Sequence, residues 1–509
     1  MHDTPLANYP LAPSSEKTTE DNRSEDSRRK NRSKDRSSRS RSPSRYREDA
    51  DAFLVVLDES EKPQNLQSAI KWRIVTVVCM CTVLVQCASS LAAFTQRPLQ
   101  EEFGVSEIIS ILPLSLFVQG LAVGQLFVAP FSELYGRRII YRFSFVAFLL
   151  VTIPVTFAPN IAVHLVFRAL SGLCCSCFLS VAGGTMSDLF SDDEVATPMA
   201  LYTIAVFMGP VLGPWLGGFI VQHLYWRWVY RILLIWTFTH LVIIFFLVPE
   251  TFAPVLARQK ARCIRQEAKD PRYWCSMERN SRTLGGAMFS SFTMPFKLVA
   301  QERMILLLNV WNSLLFGIEY MAFQAFPIIF RDGHGFDVQS TGLSFTGLGV
   351  GMVLAAPFQV VFNRRYSRCA AVHAGHPPSE IRLEAAQVGA ILIPVSLFII
   401  AFTSYSHVHW IIPILASVPF GLGISFSFIS TLTYLVTVYR PMAASVLASN
   451  VVMRATFAAA FPLFAGAMYG RLGSVGATAL LGGLCTVMAP LPFIFARVGA
   501  RLRSKSKFA

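Results

Sequence analysis

Three charged residues, Arg168, Glu319 and Arg454, stand inside long apolar runs of this 509-residue chain. A charge in hydrocarbon is costly, and the ionisable residues that persist there mark ion or proton pathways. A buried carboxyl group can take up and release a proton near neutral pH, whereas a guanidinium stays charged. Glu319 falls near the middle of its run and is the expected proton-coupling acid. The competing expectation is a glutamate held in an internal hydrogen-bonded pair that never titrates. Asn450 precedes Arg454 by one turn, on the same helical face.

Amide and aromatic residues gather near these groups. Gln86, Tyr320, Phe323, Gln324, Phe426, Phe428, Asn450, Arg454 and Phe457 are the expected walls of a central cavity. Such walls suit bulky, partly apolar ligands with a few polar groups. The chain has 41 phenylalanines, so no single ring is diagnostic. Two arginines against one glutamate leave the interior weakly cationic, which disfavours polyamines and permits neutral or anionic cargo. No metal-ligand set, nucleophile constellation or phosphate-binding glycine loop accompanies them. An enzyme, a metal and a cofactor are therefore not expected, and a proton gradient is the expected energy source. Cys79, Cys81, Cys87, Cys174, Cys175 and Cys177 lie in apolar runs, where cysteine acts as a small hydrophobe.

Helices that cross a membrane must position these residues. The chain is 53% hydrophobic and 15% charged, with a mean hydropathy of +0.47, and its charge is confined to the ends and a few short runs. Between them lie apolar segments of about 20 residues, the length that crosses about 30 Å of hydrocarbon. In the first half they run Trp72 to Phe94, Ile108 to Phe131, Ile139 to Phe157, Ile161 to Leu189, Met199 to Val221 and Trp228 to Val248. In the second they run Met304 to Phe330, Gly342 to Phe362, Ala385 to Phe402, Trp410 to Tyr439, Ala443 to Met468 and Val475 to Phe495. Twelve spans in an all-α membrane protein are expected.

Basic residues orient the bundle. Arg137, Arg138 and Arg142 follow span two, and Arg364, Arg365 and Arg368 follow span eight. The linker between the halves and the C-terminal tail are also basic, so both termini are expected in the cytoplasm. The expected organisation is a disordered Ser/Arg-rich cytoplasmic tail (1–70), a six-helix bundle (71–250), a cytoplasmic linker (251–301), a second six-helix bundle (302–497) and a basic tail (498–509). A membrane-surface helix is expected near Ala257 to Lys269. The net charge of +14 and the tract from Ser27 to Arg47 invite a nucleic-acid reading, but no RNA-binding module follows. A solvated, phosphorylatable tail is expected instead, with the sequons at Asn22 and Asn31 unused. No cleavable signal peptide is recognisable at the start, so the first span is the expected membrane address. The expected partners are a small-molecule substrate and the lipid bilayer, with no nucleic acid, and the chain is expected to be a monomer.

The sequence repeats itself. APFSELYGRR, Ala129 to Arg138, returns as APFQVVFNRR, Ala356 to Arg365, and Gly120 and Gly124 fall opposite Gly347 and Gly351. Two halves on one plan point to a duplicated transporter with its site between the halves, near the bilayer midplane. Gly209, Gly213 and Gly217 recur every fourth residue, leaving one face of span five nearly bare, and Pro210 and Pro214 allow it to bend. The alternatives are a fixed packing seam and a pivot used in alternating access.

These segments resemble a known family. APFSELYGRRIIY (Ala129 to Tyr141) is similar to the signature after span two of the major facilitator superfamily in its fungal form. RALSG (Arg168 to Gly172) resembles its span-four motif, and GPVLGPWLGG (Gly209 to Gly218) its antiporter motif in span five. PETFAPVLARQKARCIRQE (Pro249 to Glu267) and the closing GARLRSKSKFA (Gly499 to Ala509) look like the fungal twelve-span drug:proton antiporter family. The resemblance implies two six-helix bundles rocking about a central site, with Arg168 linked to proton transfer. It also implies a cytoplasmic latch from Glu133, Arg137 and Arg138, matched in the second half by Arg364 and Arg365, and an antiporter motif carried by Gly209, Pro210, Gly213, Pro214, Gly217 and Gly218. Val360 stands where the second repeat would carry an acid, and SDDEVAT (Ser191 to Thr197) lacks the family's usual Arg. Glu319 occupies a position that is usually aliphatic, so its role rests on physics. The function implied is proton-driven export of drugs or endogenous metabolites across the plasma membrane rather than the vacuolar membrane. A dedicated exporter of an organic acid or secondary metabolite and a transporter-like nutrient receptor are the alternatives.

Overall fold

The computed structural model describes residues 53–191, 194–279, 284–372, 378–503 and 506. The Ser/Arg tract, both sequons and the Asp192–Asp193 pair lie outside the described residues. Among the described residues, eleven helical stretches are long and apolar enough to cross a membrane. Spans one to six are Ser68–Leu91, Glu107–Tyr135, Arg137–Thr156, Ile161–Leu189, Ala196–His223 and Trp228–Leu247. Spans seven to ten are Arg303–Phe326, Thr346–Val372, Glu384–Thr403 and Ile411–Val438. The last stretch, Ala443–Met488, is extended by Pro490–Arg503 and holds two spans. Gly473 inside it has φ 69° and ψ 168°, a conformation glycine reaches at little cost. The Tyr469 hydroxyl also meets the Thr478 hydroxyl at 3.1 Å. Nine residues of straight helix rise about 13.5 Å, beyond the reach of those two side chains. The chain therefore reverses at Gly473, and the spans number twelve.

The duplication is visible in the packing. Span one lies along span five and span seven along span eleven; span two lies against span four and span eight against span ten. Across the two halves, span two meets span eleven and span five meets span eight. The paired glycines explain the close approach. A Cβ on Gly120 would strike the Ala169 carbonyl oxygen, and one on Gly347 would strike that of Ile414, the equivalent contact in the second half.

Three spans are less regular than their hydropathy suggests. Span one tightens into a 3-10 turn at Ala92–Thr95 and continues as Gln96–Phe103. Span four is not one helix but Ile161–Cys175, Cys177–Ser180 and Ala182–Leu189. Span seven passes into a π-helical turn, Pro327–Gly333, where proline supplies no N–H to the α-helical ladder.

Linker helices Ala253–Ala268 and Leu284–Gln301 join the halves on one side, the linker end; the opposite side is the far end. The strap entering span one is tied to this linker. Val55 N–H donates to the Trp274 carbonyl at 2.8 Å, and Trp274 N–H donates to that of Phe53 at 3.0 Å. The Lys260 ammonium reaches Asp58 and Glu61, both at 2.6 Å, beside a buried cluster of Val55, Ala261 and Cys275.

Candidate functional site

A cleft between the halves is lined by Gln86 of span one, Gln125 of span two, Leu179 of span four, Phe316 and Tyr320 of span seven and Arg454 of span eleven, among others. It encloses about 280 Å³, counting the part open to solvent. The Ser89 and Tyr320 hydroxyls meet at 3.1 Å, and the Phe207 and Phe428 rings at 6.0 Å, so both halves contribute at mid-depth. Aromatic faces and two amides around one guanidinium make a pocket for an apolar molecule with a few acceptors.

Of the residues expected to wall it, Gln86, Tyr320 and Arg454 line the cleft, and Phe428 borders it through Arg454. The structure does not bring the others there. Phe426 packs against Phe362 and Phe358 of span eight, because two residues along a helix turn the side chain to the opposite side from Phe428. Phe323 stacks on Phe345 in the core of the second half, and Phe457 stacks on Phe461. Asn450 is fully buried and donates to the Asn309 side chain at 3.0 Å. Gln324 is buried, and its amide nitrogen has no partner among the described residues. Gln125, on the opposite wall, is a lining residue that the aromatic-and-charge pattern missed.

Glu319 is buried, and neither carboxyl oxygen has a hydrogen-bond donor among the described residues. The charged group acting on it is Arg454. Arg454 forms no ion pair among the described residues; it lies over the Phe316 ring at 5.0 Å and the Phe428 ring at 5.7 Å. The two are thus close enough to interact, with the Arg454 guanidinium bound to no other acid among the described residues.

Arg168 is a structural clamp at the junction of three spans. It donates through Nε to the Pro113 carbonyl at 3.2 Å and through Nη2 to that of Ala88 at 2.9 Å, and stacks on Phe117 at 4.3 Å. The Ala88 carbonyl is left over where span one tightens, since the Ala92 N–H turns to Ser90 instead. The guanidinium fork fills a gap in the backbone ladder.

At the linker end, Gly136 joins spans two and three with φ 93°, and the Glu250 carboxylate lies where a Cβ would sit. That carboxylate accepts from the N–H groups of Arg137, Arg138 and Phe252 at 2.9, 3.1 and 3.0 Å, capping the start of span three. The Arg137 side chain pairs with Asp188 at 3.0 Å and bonds Ser132 at 2.6 Å. Glu133 is exposed and makes no ion pair among the described residues; Arg364 makes none either, and Arg365 pairs with Glu384 at 3.3 Å within its own half. The acids that hold this turn are Asp188 and Glu250. The PETF segment contained the second of them; nothing in sequence ties Asp188 to Arg137.

The glycine face of span five serves two partners. A Cβ at Gly209 or Gly213 would collide with span one at Gln86 or Ser90, and one at Gly217 would press on Phe94. Gly218 and Pro214 turn instead to the second half, where the Val338 carbonyl lies 2.9 Å from a Gly218 Cβ and Gly342 abuts the Pro214 carbonyl.

Comparison with known proteins matches this architecture. A sequence profile of the Major Facilitator Superfamily covers residues 78–462. A probable drug/proton antiporter of Saccharomyces cerevisiae is 37% identical over 456 residues, covering 89% of this chain and 88% of that one. An efflux pump of Aspergillus terreus is 42% identical over 395 residues, 76% of this chain and 83% of the relative. A transporter of the ascochitine biosynthesis cluster of Didymella fabae is 34% identical over 458 residues, with coverage of 89% and 88%. Among solved structures, a partially occluded inward-open xylose transporter of E. coli aligns with a TM-score of 0.59 at 14% identity, over 84% of this chain and 98% of that one, which speaks to fold alone. Two repeated six-helix halves, a cleft between them and relatives aligned along most of their length place the chain in the major facilitator superfamily, within its fungal twelve-span drug:proton antiporter family.

Proposed function

We propose that the chain is a transporter, not an enzyme, that exports small organic molecules in exchange for protons by exposing the cleft alternately to the two sides of the membrane. The observation that carries this reading is a two-sided cleft bordered by Arg454, with the buried Glu319 carboxyl beside that arginine. The linker end is the cytoplasmic side of the plasma membrane, where both termini lie, because the basic turns after spans two and eight gather there. The halves meet at the far end through Arg97 and Asp332 at 3.0 Å and His223 and Gln339 at 3.0 Å. This supports a cleft that opens toward the cytoplasm. Glu133, Arg137 and Arg138 close as a latch when the cycle turns the cleft outward, and Glu133 stands free for that contact. The protein works as a monomer with no cofactor, on the energy of the proton gradient.

Cargo is a neutral or anionic organic molecule. Export of an endogenous metabolite has one support beyond the cleft: a relative that covers 89% of this chain is named for a biosynthesis cluster. The test compares culture fluid from cells with and without the gene, then follows the compounds that differ in vesicles under an imposed pH gradient. Export should require the gradient in wild type, and Glu319→Gln should lower it and flatten its dependence on the gradient. Binding without flux would make the chain a receptor, and unchanged coupling in the variant would remove Glu319 from the proton's route.

A further inference from the structure

Below Glu319, toward the linker end, span seven carries a second polar row that the cargo cleft does not use. Asn312 lies seven residues before Glu319, within about 20° of its helical face, Asn309 lies ten before it, about 80° round the helix toward span eleven, and Glu302 lies seven residues before Asn309. Asn309 and Asn312 are fully buried. Asn309 is partnered: it donates to Ser449 at 2.9 Å and accepts from Asn450 at 3.0 Å. Asn312 is not; among the described residues its amide nitrogen and its carbonyl oxygen both lack a partner, as does the Thr431 hydroxyl of span ten, itself fully buried. The Asn450 carbonyl oxygen is unpartnered too.

Register places these groups together. Spans seven and ten are antiparallel, and two contacts fix their alignment: the Tyr434 hydroxyl to the Met304 sulfur at 3.4 Å, and the Phe316 and Phe428 rings at 5.8 Å. Thr431 lies between the two contacts on one helix, as Asn309 and Asn312 do on the other. Span eleven runs parallel to span seven, with Asn450 beside Asn309 and Arg454 over Phe316. At the mouth, Glu302 accepts from the Tyr439 hydroxyl at 3.2 Å and from Ser506 at 2.8 Å.

A buried amide with neither end satisfied is costly, and native proteins fill such places with water that makes two to four hydrogen bonds. We propose that Asn312, with Asn309 and Thr431, holds a file of water that carries the proton between Glu319 and Glu302, inside the second half and apart from the cargo cleft. The proposal rests on the reading of Glu319 as the proton carrier. Seven residues of helix separate Asn312 from Glu319, about 10.5 Å, a gap that three or four waters bridge. The amides and hydroxyl are positioning groups: they orient water and do not themselves titrate. Arg454 of span eleven is the charged group facing Glu319 along the way, with the Tyr320 and Tyr202 hydroxyls acting on that arginine, and Glu302 and Tyr439 face each other at the exit. None of Asn309, Asn312, Thr431 or Glu302 lines the cleft. Cargo and proton then move on separate routes that meet only at the Glu319–Arg454 pair.

No cargo is needed for the test. The purified full chain is jumped from alkaline to mildly acidic buffer, and proton uptake is followed by stopped flow with a pH-indicator dye. Glu319→Gln should remove one proton's amplitude. Asn312→Leu should keep the wild-type amplitude but slow the uptake by roughly a hundredfold, the scale of a lost proton-relay link. Asn312→Ser, which keeps a hydroxyl to hold water, should restore most of the rate, and Thr431→Val should slow it in a protein with Asn312 intact. A merely structural asparagine would change stability without this split between rate and amplitude. If Glu319→Gln keeps the full amplitude, the carrier is misassigned and the track has no terminus. If it loses the amplitude while Asn312→Leu and Thr431→Val run at wild-type speed, the carrier stands and the track is wrong.

Discussion

Replacing Gly209, Gly213 and Gly217 of span five one at a time by alanine should produce a graded series. At Gly209 the new Cβ would overlap the Gln86 Cβ and stand 2.9 Å from both the Cys87 nitrogen and the Gln86 carbonyl carbon. Ordinary contact begins at 3.4 Å, so two backbone atoms are about 0.5 Å too near, and no rotamer relieves a Cβ. At Gly213 the worst overlap is with the Ser90 hydroxyl, which can rotate away, leaving the Ser90 Cβ at 2.9 Å and the Cys87 carbonyl at 3.0 Å. At Gly217 the nearest atom is the Phe94 Cβ at 3.2 Å, and the next lie at 3.5 Å. Overpacking costs about 1–3 kcal/mol. Gly209→Ala should sit at or above the top of that range, Gly213→Ala near 1 kcal/mol and Gly217→Ala at roughly a few tenths. Thermal unfolding of the purified protein in one detergent reads the order directly. Gly213→Leu goes further and should stop the transport cycle. A series in which Gly217→Ala is as damaging as Gly209→Ala would show that the two helices do not approach as described.

Arg168→Lys should destabilise by about 2–3 kcal/mol, because one ammonium cannot serve both the Pro113 and Ala88 carbonyls, and the same melting assay checks it. Tyr469→Phe should cost about 1 kcal/mol and loosen the turn at Gly473, seen as faster amide exchange around that residue. Lys260→Gln should free the strap without lowering the melting temperature of the bundles, since surface ion pairs contribute little globally; faster exchange at the Val55 amide is the readout. Hydrogen bonding to Lys260 holds the Glu61 carboxyl below its usual range, and bonds to Asp58 and Glu61 hold the Lys260 ammonium above its own. The strap should therefore be fully held above the ordinary carboxylate pKa, loosen as pH falls through the lowered Glu61 value, and loosen again as pH rises through the raised Lys260 value.

The architecture was legible because lipid imposes it. Apolar length marks each span, and the repeated glycines mark where helices must touch, so both survive in a single sequence. The breaks were not legible. Span four looks continuous to Leu189 in hydropathy, yet its ladder is interrupted near Ser176 and Val181 by local geometry that hydropathy does not sense. The reversal at Gly473 needs one glycine, in a stretch whose neighbours Gly470 and Gly476 look equally able to supply it. The site was half legible. Glu319, Arg168 and Arg454 announce themselves as charges in apolar surroundings, but their partners are distant in sequence and include backbone carbonyls, which carry no residue signature. Phe426 and Phe428 show the limit of composition: identical side chains two positions apart meet different neighbours.

The seam between span five and the short helix Val338–Leu343 that leads into span eight is made largely of main chain, with glycines meeting the carbonyls of Pro214 and Val338. Few side chains lock such a joint: His223 meets Gln339, and the Gln222 side chain accepts from the Val338 N–H. In the proposed transport cycle it parts and re-forms with little repacking, because backbone meets backbone. Under the proposed cycle, changes in the cleft can then alter what is bound while the joint stays the same.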